Sequence, residues 1–565
     1  MITAVKDIGE ILLEREKKEP LDILIENPDS GGKYDTALVL EFDKDLKFQK
    51  VKAEELKKEN YKIYLYKRGA SQGVDFSPTS RITTVEKTFN RFINWFKNHK
   101  NILDFEKILD EIEKNKEEIF NQLDELNNQS QDEKIITIKI DGKYPYEMEI
   151  FRKVFLEDIF AKVMEVSKKN GVCSVCGEEK EKVFATSKLY TFFTTDKECY
   201  IAGGFRKDEA FKNFPVCEEC FLKVSYGRKY IDENLKFKFY SKNYYLIPHL
   251  LLDSKEALEE IAEILSFDKE DIKKLSKSEK KKYFSDKDEI LDIVKDYKDF
   301  VSFYFLFLKG GGTSDKDRIL LLVEDVLPSR IHKVFEAKEE VEKKFNIDNY
   351  HFGKIGQFLN EFDKLFFEIV DKIFTEGKLD YKVLIKIFMK KIRTQFLNSS
   401  KTPYETVKDS VANILFFQEL SLIKFGERKM KKEKFEEIFE KFGGALDTPA
   451  KKGIFLLGAL TQMLLDIQGI ERQSTPFWKN LKSLKMNEED IKGLLPKVVN
   501  KLEEYGRNDK GKKELAKEIS KYLLQQNKFG LTIDEINFYF VAGMTLHEEI
   551  EKNLYNQEEN NEPDN

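Results

Sequence analysis

The chain of 565 residues is 41% apolar and 35% charged, the latter above the usual ~25%, so several cores fit beneath a densely charged surface and a small disulfide scaffold is excluded. Lysine and arginine number 97 against 103 aspartates and glutamates, a net charge of −6; a nucleic-acid partner therefore has to be held by local basic patches, and bulk charge argues for neither DNA nor membrane. Only 5 histidines and 2 tryptophans occur, which leaves little imidazole for catalysis. The amino terminus has no apolar signal core, and apolar runs such as Val301 to Leu308 are far too short to span a bilayer. The expectation is a soluble, cytoplasmic protein without a membrane partner.

In chain order, alternation in Ala37 to Phe42 and again in Tyr61 to Tyr66 predicts strands. The stretch Lys67 to Arg81, with two glycines, a proline and several hydroxyl side chains, reads as an ordered polar loop. Helical spacing returns from Val85 to Trp95 and from Leu103 to Leu126, before a polar link at Asn127 to Asp132. Ile136, Ile138 and Ile140 mark a strand, and Phe151, Phe155, Ile159 and Val163 a helix leading towards the first cysteine pair. Leu235 to Tyr240 alternates, and from Lys255 onward the patterns are overwhelmingly helical. Near the end, Thr448-Pro449 fits an N-cap with proline at the first helical position, Gly506 a helix stop, and Thr532 with Glu535 a capping box. The fold class is α+β, mostly helical: a mixed α/β N-terminal region (1–170), a four-cysteine insert (171–222), a mixed then helical middle (223–425) and a C-terminal helical bundle (426–565) whose acidic tail from Asn556 is expected to be disordered.

Cys173, Cys176, Cys217 and Cys220 form a CxxC…CxxC constellation. Two residues between cysteines let both thiolates of a knuckle point inward, and two knuckles complete the tetrahedral sulfur shell of zinc, so one structural Zn²⁺ is expected. Phe184-Ala185, Leu189 to Phe193 and the Gly203-Gly204 turn suggest a hairpin bridging the two halves, and Cys199 between them reads as a core residue. In the polar loop, Lys67, Arg68 and Arg81 are candidates for phosphate contacts, and Ser71, Gln72 and Thr79 for polar readers; composition alone favours a solvated surface loop. Lys378, Lys382, Lys386, Lys390 and Arg393 share one helix face, a phosphate-tracking stripe or the wet side of an amphipathic helix. Lys236 and Lys238 alternate with Phe237, Phe239 and Tyr240, a mixture that serves stacking on bases or a half-buried strand. No phosphate-binding GxxxxGK[ST] loop, dinucleotide fingerprint, GxSxG elbow, HExxH, His-Asp dipeptide or Gly-Gly-Asp-Asp occurs, and Gly310 to Gly312 reads as a flexible turn.

Several blocks together resemble the large subunit of the type I-B CRISPR interference complex, Cascade. They are Tyr64 to Gly69 with Phe76 to Ser80 and Val85 to Phe89; Thr191 to Lys197, Gly203 to Phe205 and Lys212 to Cys217; and Phe455 to Leu460, Pro476 to Lys479 and Phe538 to Met544. The resemblance implies a non-catalytic subunit at the 5′ end of the crRNA that reads the protospacer-adjacent motif (PAM) of target double-stranded DNA. It also implies help in opening that DNA, contacts with the backbone subunits, and a surface for a helicase-nuclease. It further implies that the bundle from 426 corresponds to the separate small subunit of other Cascades, with Lys479, Lys482 and their basic neighbours cradling opened strands. Internal initiation at Met430 would then supply free copies of that bundle. A zinc-containing nuclease and a purely structural interaction protein are the competing classes.

Overall fold

The computed structural model describes residues 1–16, 19–29, 31–69, 73–163, 167–185, 189–193, 204, 206–240, 242–251, 301–309, 317–347, 350–399, 401–426 and 434–559. They belong to two compact units, the first running to Glu233 with a short later segment ending at Arg318, the second taking the remainder from Asn234. Ser71, Gln72, Cys199, Gly203, Gly310 to Gly312, Met430 and the end of the acidic tail lie outside the described residues.

The first unit opens with helix α1 (Ile2–Glu16). Strands β1 (Tyr34–Phe42), β2 (Phe48–Glu55), β3 (Ser80–Arg81) and β4 (Glu133–Ile140) form a sheet in the order β2-β1-β4-β3. Helices α2 (Val85–Asn98), α3 (Leu103–Lys114) and α4 (Lys116–Asn128) make the crossover that lets β1 and β4 run parallel. Because both central strands are covered, their apolar runs are continuous: Ala37 to Leu40 and Ile135 to Ile138 are all buried, Thr137 included. Lys134 is buried there too, its ammonium donating to the carbonyls of Asn127, Ser130 and Asp132 at 2.9–3.1 Å. The segment Tyr61 to Tyr66 is not a strand. It is a 3₁₀ turn (Tyr61–Tyr64) closed by Leu65 at φ 52°, and Ile63 to Tyr66 are all buried, so alternation in residue type here is not alternation in exposure.

Apolar spacing on α2 sends Phe92 and Phe96 inward beside Trp95, and Trp95 and Phe96 meet Phe105 of α3 and Phe151 of α5 (Glu149–Val163); ring centroids lie 4.8–5.8 Å apart from Trp95 to Phe105 to Phe151. Between α2 and α5, His99 Nε2 lies 3.1 Å from Asp158 and its Nδ1 2.8 Å from the Trp95 carbonyl. Burial alone would lower the His99 pKa, but the Asp158 carboxylate outweighs it and holds it above the usual value. A raised folded-state pKa means that the protonated pair stabilises fully below the ordinary histidine value of about 6.5 and that this contribution is lost as pH rises through the higher folded value. Wild-type melting temperature, measured against Asp158→Asn, should therefore lose its advantage as pH rises above the ordinary histidine value of about 6.5; an advantage independent of pH would contradict the pairing.

Downstream, β5 (Ser167–Val172), β6 (Glu179–Ala185) and β7 (Pro215–Val216) form a small sheet in that order, and α6 (Glu218–Asn234) follows.

The second unit contains the sheet β11-β10-β9-β8, from β8 (Lys236–Phe239), β9 (Lys242–Leu250), β10 (Val301–Lys309) and β11 (Arg318–Val326). Strands β10 and β11 depart from the expectation of helix beyond Lys255. The run Val301 to Phe307 is buried on both faces, a pattern that periodicity cannot separate from a buried helix. Helices α7 (Pro328–Phe345) and α8 (Asp363–Thr375) follow; Phe305 stacks on Tyr244 of β9 at 5.5 Å and on Phe374 at 4.5 Å, joining the sheet to α8.

Helices α9 (Tyr381–Ser399), α10 (Tyr404–Glu419), α11 (Pro449–Arg472), α12 (Glu488–Glu504), α13 (Lys510–Leu524), α14 (Ile533–Thr545) and α15 (His547–Glu559) complete it. The predicted caps are present: Thr448 accepts the Lys451 N–H, Thr532 and Glu535 cap reciprocally, and Gly506 has φ 62°. Among the described residues α11 is the one helix long and apolar enough to cross a membrane, and 72% of that window is buried inside the fold. It meets α14 backbone to backbone, since a Cβ on Gly458 would stand 1.9 Å from the Phe540 carbonyl oxygen and one on Gly543 1.8 Å from that of Phe455.

The boundary expected at 426 does not separate two cores. Helix α9 is stapled to the later helices by Arg393, which donates to Asp534 at 2.5 Å and to the Leu484 carbonyl at 2.8 Å, and by Phe396 stacked on Trp478 at 4.0 Å. The Tyr381 and Tyr539 hydroxyls are hydrogen-bonded. The described helices after 426 thus share their core with helices before it.

Candidate metal centre and nucleic-acid interface

The two cysteine pairs are brought together by strand pairing. Phe184 of β6 lies opposite Ser167 of β5 on one side and Val216 of β7 on the other, which places the turn after β5 beside the end of β7. Ser174 N–H donates to the Pro215 carbonyl at 2.8 Å, locking one knuckle to the other. The first knuckle closes through Cys173 N–H to Glu178 O and Gly177 N–H to Cys173 O, both 2.9 Å, with Gly177 at φ 73°, a conformation that glycine adopts without strain. Cys220 comes from the first turn of α6.

The four sulfurs lie within 4.8 Å of one another, with Cys173, Cys217 and Cys220 buried and Cys176 exposed. A tetrahedral shell with metal–sulfur bonds of ~2.3 Å needs sulfur–sulfur spacings of about 3.8 Å, so a small contraction suffices. The donor set fits a metal: the Cys173 sulfur already accepts the backbone N–H groups of Val175 and Cys217 at 3.4 and 3.3 Å, which favours its thiolate. Hydrogen bonds from Cys217 and Cys220 hold the Cys173 thiol far below its usual range; the contact with Cys173, with burial, pushes Cys217 up to about 11, and contacts with Cys173 and Cys217, with burial, raise Cys220 well above its usual value. The expected bridging hairpin is corrected in one respect. Phe184-Ala185 pairs with Val216 and Pro215, whereas Leu189 to Phe193 is a turn whose rings stack locally, Tyr190 on Phe192 at 4.9 Å and Phe193 on Phe214 at 5.2 Å.

The 67–81 loop divides into anchored and free cations. Lys67 Nζ donates to the Leu24 carbonyl at 3.2 Å and to Glu26 at 3.3 Å. Arg81 donates to the Pro28 carbonyl at 2.8 Å and lies 5.0 and 5.5 Å from the ring centroids of Tyr34 and Tyr66. Thr79 is corrected as a reader: it is fully buried, with its hydroxyl bonded to the Tyr64 carbonyl at 2.6 Å and to the Thr137 hydroxyl at 2.7 Å. Arg68 is exposed; its backbone N–H donates to Glu26, and its guanidinium makes no hydrogen bond or ion pair with a described residue. Lys67, Arg68 and Arg81 all border one cavity of about 780 Å³, together with Lys229 of α6.

The other basic residues lie in the second unit and do not converge. Lys236 and Lys238 are exposed on β8, Lys236 lying 5.7 Å from the Tyr245 ring centroid, while Phe239 is core. Lys382 and Lys386 are exposed on α9, Lys390 is paired with Glu361, and Arg393 turns inward to Asp534. The phosphate stripe is therefore shorter than its spacing implies, because Arg393 is a packing residue. Lys479 is exposed, and Lys482, also exposed, is held by Asp490 at 2.5 Å.

Three family models match the chain in succession: the N-terminal domain of CRISPR-associated protein TM1802 over residues 1–157, its central domain over 170–326 and its C-terminal domain over 350–558. The chain belongs to the CRISPR-associated TM1802 family. No curated protein matches it. The TM1802 central span holds all four cysteines, and the N-terminal span holds the 67–81 loop. The TM1802 C-terminal span begins at 350 and takes in helices on both sides of 426. Within this TM1802 protein the residue that sequence reasoning left out of the loop site is Lys229. It is visible in the sequence only as one cation of a mixed basic and aromatic tract, and nothing local connects it to Arg68.

Proposed function

We propose that this TM1802-family protein is the non-catalytic large subunit of a type I-B Cascade, a crRNA-guided complex that surveys double-stranded DNA in antiviral defence. The observation that carries the reading is the ordered run of three TM1802 domain models over nearly the whole chain, in agreement with the motif blocks at both ends. In this reading the protein lies at the crRNA 5′ end beside the backbone subunits, reads the PAM, helps open the duplex and offers a surface to the helicase-nuclease. Guide pairing supplies the long sequence specificity, and the protein reads a short motif and backbone shape, the division found in other RNA-guided recognition. The four cysteines hold one Zn²⁺ that fastens the insert; four thiolates saturate its shell, so the ion is structural.

Arg68 is the cation of the loop best placed for a phosphate. In a complex reconstituted with crRNA and backbone subunits, Arg68→Ala should weaken binding to all targets and lower the slope of log affinity against log salt by about 1. Loss confined to one PAM base would make Arg68 a base reader. Unchanged affinity, salt slope and assembly would leave the loop a solvated surface feature. Metal-dependent cleavage of DNA by the isolated chain would favour a nuclease instead, and absence of any salt-dependent DNA affinity in the complex a structural interaction protein.

A further inference from the structure

The cavity of about 780 Å³ in the first unit is walled by residues 23–27, the two ends of the 67–81 loop and one face of α6. Its walls carry four cations, Lys67, Arg68, Arg81 and Lys229, against two carboxylates, Glu26 and Glu233. Lys67 and Arg81 are tied to backbone carbonyls and shape the wall. Arg68 and Lys229 are exposed, come from different segments, and neither side chain makes a hydrogen bond or ion pair with a described residue. Half-buried Tyr61 and Phe76 also line the cavity. The α6 wall is fixed in place: a Cβ on Gly227 would stand 1.9 Å from the Val5 carbonyl oxygen of α1, and Lys223 is paired with Glu10 of α1 at 3.0 Å.

We propose that this cavity is a pocket for an unstacked nucleotide of single-stranded RNA or DNA, with its phosphate between Arg68 and Lys229 and its base against Tyr61 and Phe76. The inference rests on the nucleic-acid reading of the loop and makes it specific to single strands. A duplex is read by elements that protrude into its grooves, whereas a concave, ring-lined site receives a base only after it leaves the stack. The volume falls within the roughly 300–1,000 Å³ of sites that enclose small molecules. Free cations beside aromatic rings in one groove are the combination that binds single strands with little sequence preference.

The test titrates the full-length protein with a short single-stranded DNA, the RNA of the same sequence and the corresponding DNA duplex, each carrying one 2-aminopurine, whose fluorescence rises on unstacking. The expected result is tighter binding of a single strand than of the duplex, with a brightened probe, and the RNA and DNA arms identify which strand is taken. Arg68→Ala with Lys229→Ala, both at exposed positions, should weaken single-strand binding by at least about tenfold. Ser225→Trp, which fills the cavity and keeps its cations, should abolish the brightening; melting temperature checks its fold, and the double variant stands alone if that fold fails. Equal affinity for duplex and single strand without brightening, or a double variant that binds as wild type while Arg68→Ala still lowers target affinity in the complex, would overturn the pocket and leave the broader reading intact. No nucleic-acid binding by the chain, together with an Arg68→Ala complex indistinguishable from wild type, would overturn both.

Discussion

Replacing Cys217 by serine is expected to strip the metal from the protein and to release the small sheet β5-β6-β7 to proteolysis. The sheet's own resources are modest: β7 has two residues, and most of β5 and the first half of β6 are exposed. What joins the two knuckles is the sulfur cluster and a few backbone bonds, among them Ser174 to Pro215. Structural zinc in small domains contributes an apparent ~10–16 kcal/mol, far beyond what those bonds supply. Metal analysis should find about one zinc per wild-type chain and little in Cys217→Ser, with new cleavage sites between residues 167 and 217. A variant that kept full zinc and full protection would show that Cys217 is not a ligand.

Gly543→Ala is expected to destabilise the second unit by about 3 kcal/mol, the upper end of ordinary overpacking. The added Cβ meets a backbone oxygen 1.8 Å away, so relief requires α11 and α14 to move apart, and no side chain can yield instead. At the usual 2–4 °C per kcal/mol for domains of this size, melting should fall by roughly 6–12 °C. Gly469→Ala on α11 is the matched control: it is exposed, with nothing within 4 Å of the new Cβ, and should be neutral or stabilising by up to ~1 kcal/mol. Calorimetry of the two variants decides it. If Gly543→Ala melted with wild type, the backbone contact between α11 and α14 would be wrong.

What could be read before the structure depended on how local the determining contact is. The cysteine pairs were legible because a knuckle is closed by its own backbone, and the caps at Thr448 and Thr532 because donor and acceptor lie three residues apart. Tyr61 to Tyr66 and Val301 to Phe307 were misread because burial from both sides erases the link between residue type and face. Thr79 and Arg393 looked like readers of nucleic acid because their partners, Thr137 and Asp534, lie 58 and 141 residues away. The same distance hid the cavity, since Arg68 and Lys229 line it from segments far apart in the chain, with α6 packed on α1. The contacts across 426 were not legible because caps mark where helices end, while the core that α9 and α10 share with later helices is set by packing.

The most direct test of the central claim is affinity purification of the tagged full-length protein from cells that also express the backbone subunits and a crRNA, followed by target-DNA binding with and without the tagged chain. The account predicts a stoichiometric complex containing the crRNA, whose retention of PAM-bearing duplex is lost when this chain is omitted. A complex that assembles and binds the same targets equally well without it would contradict the proposed role.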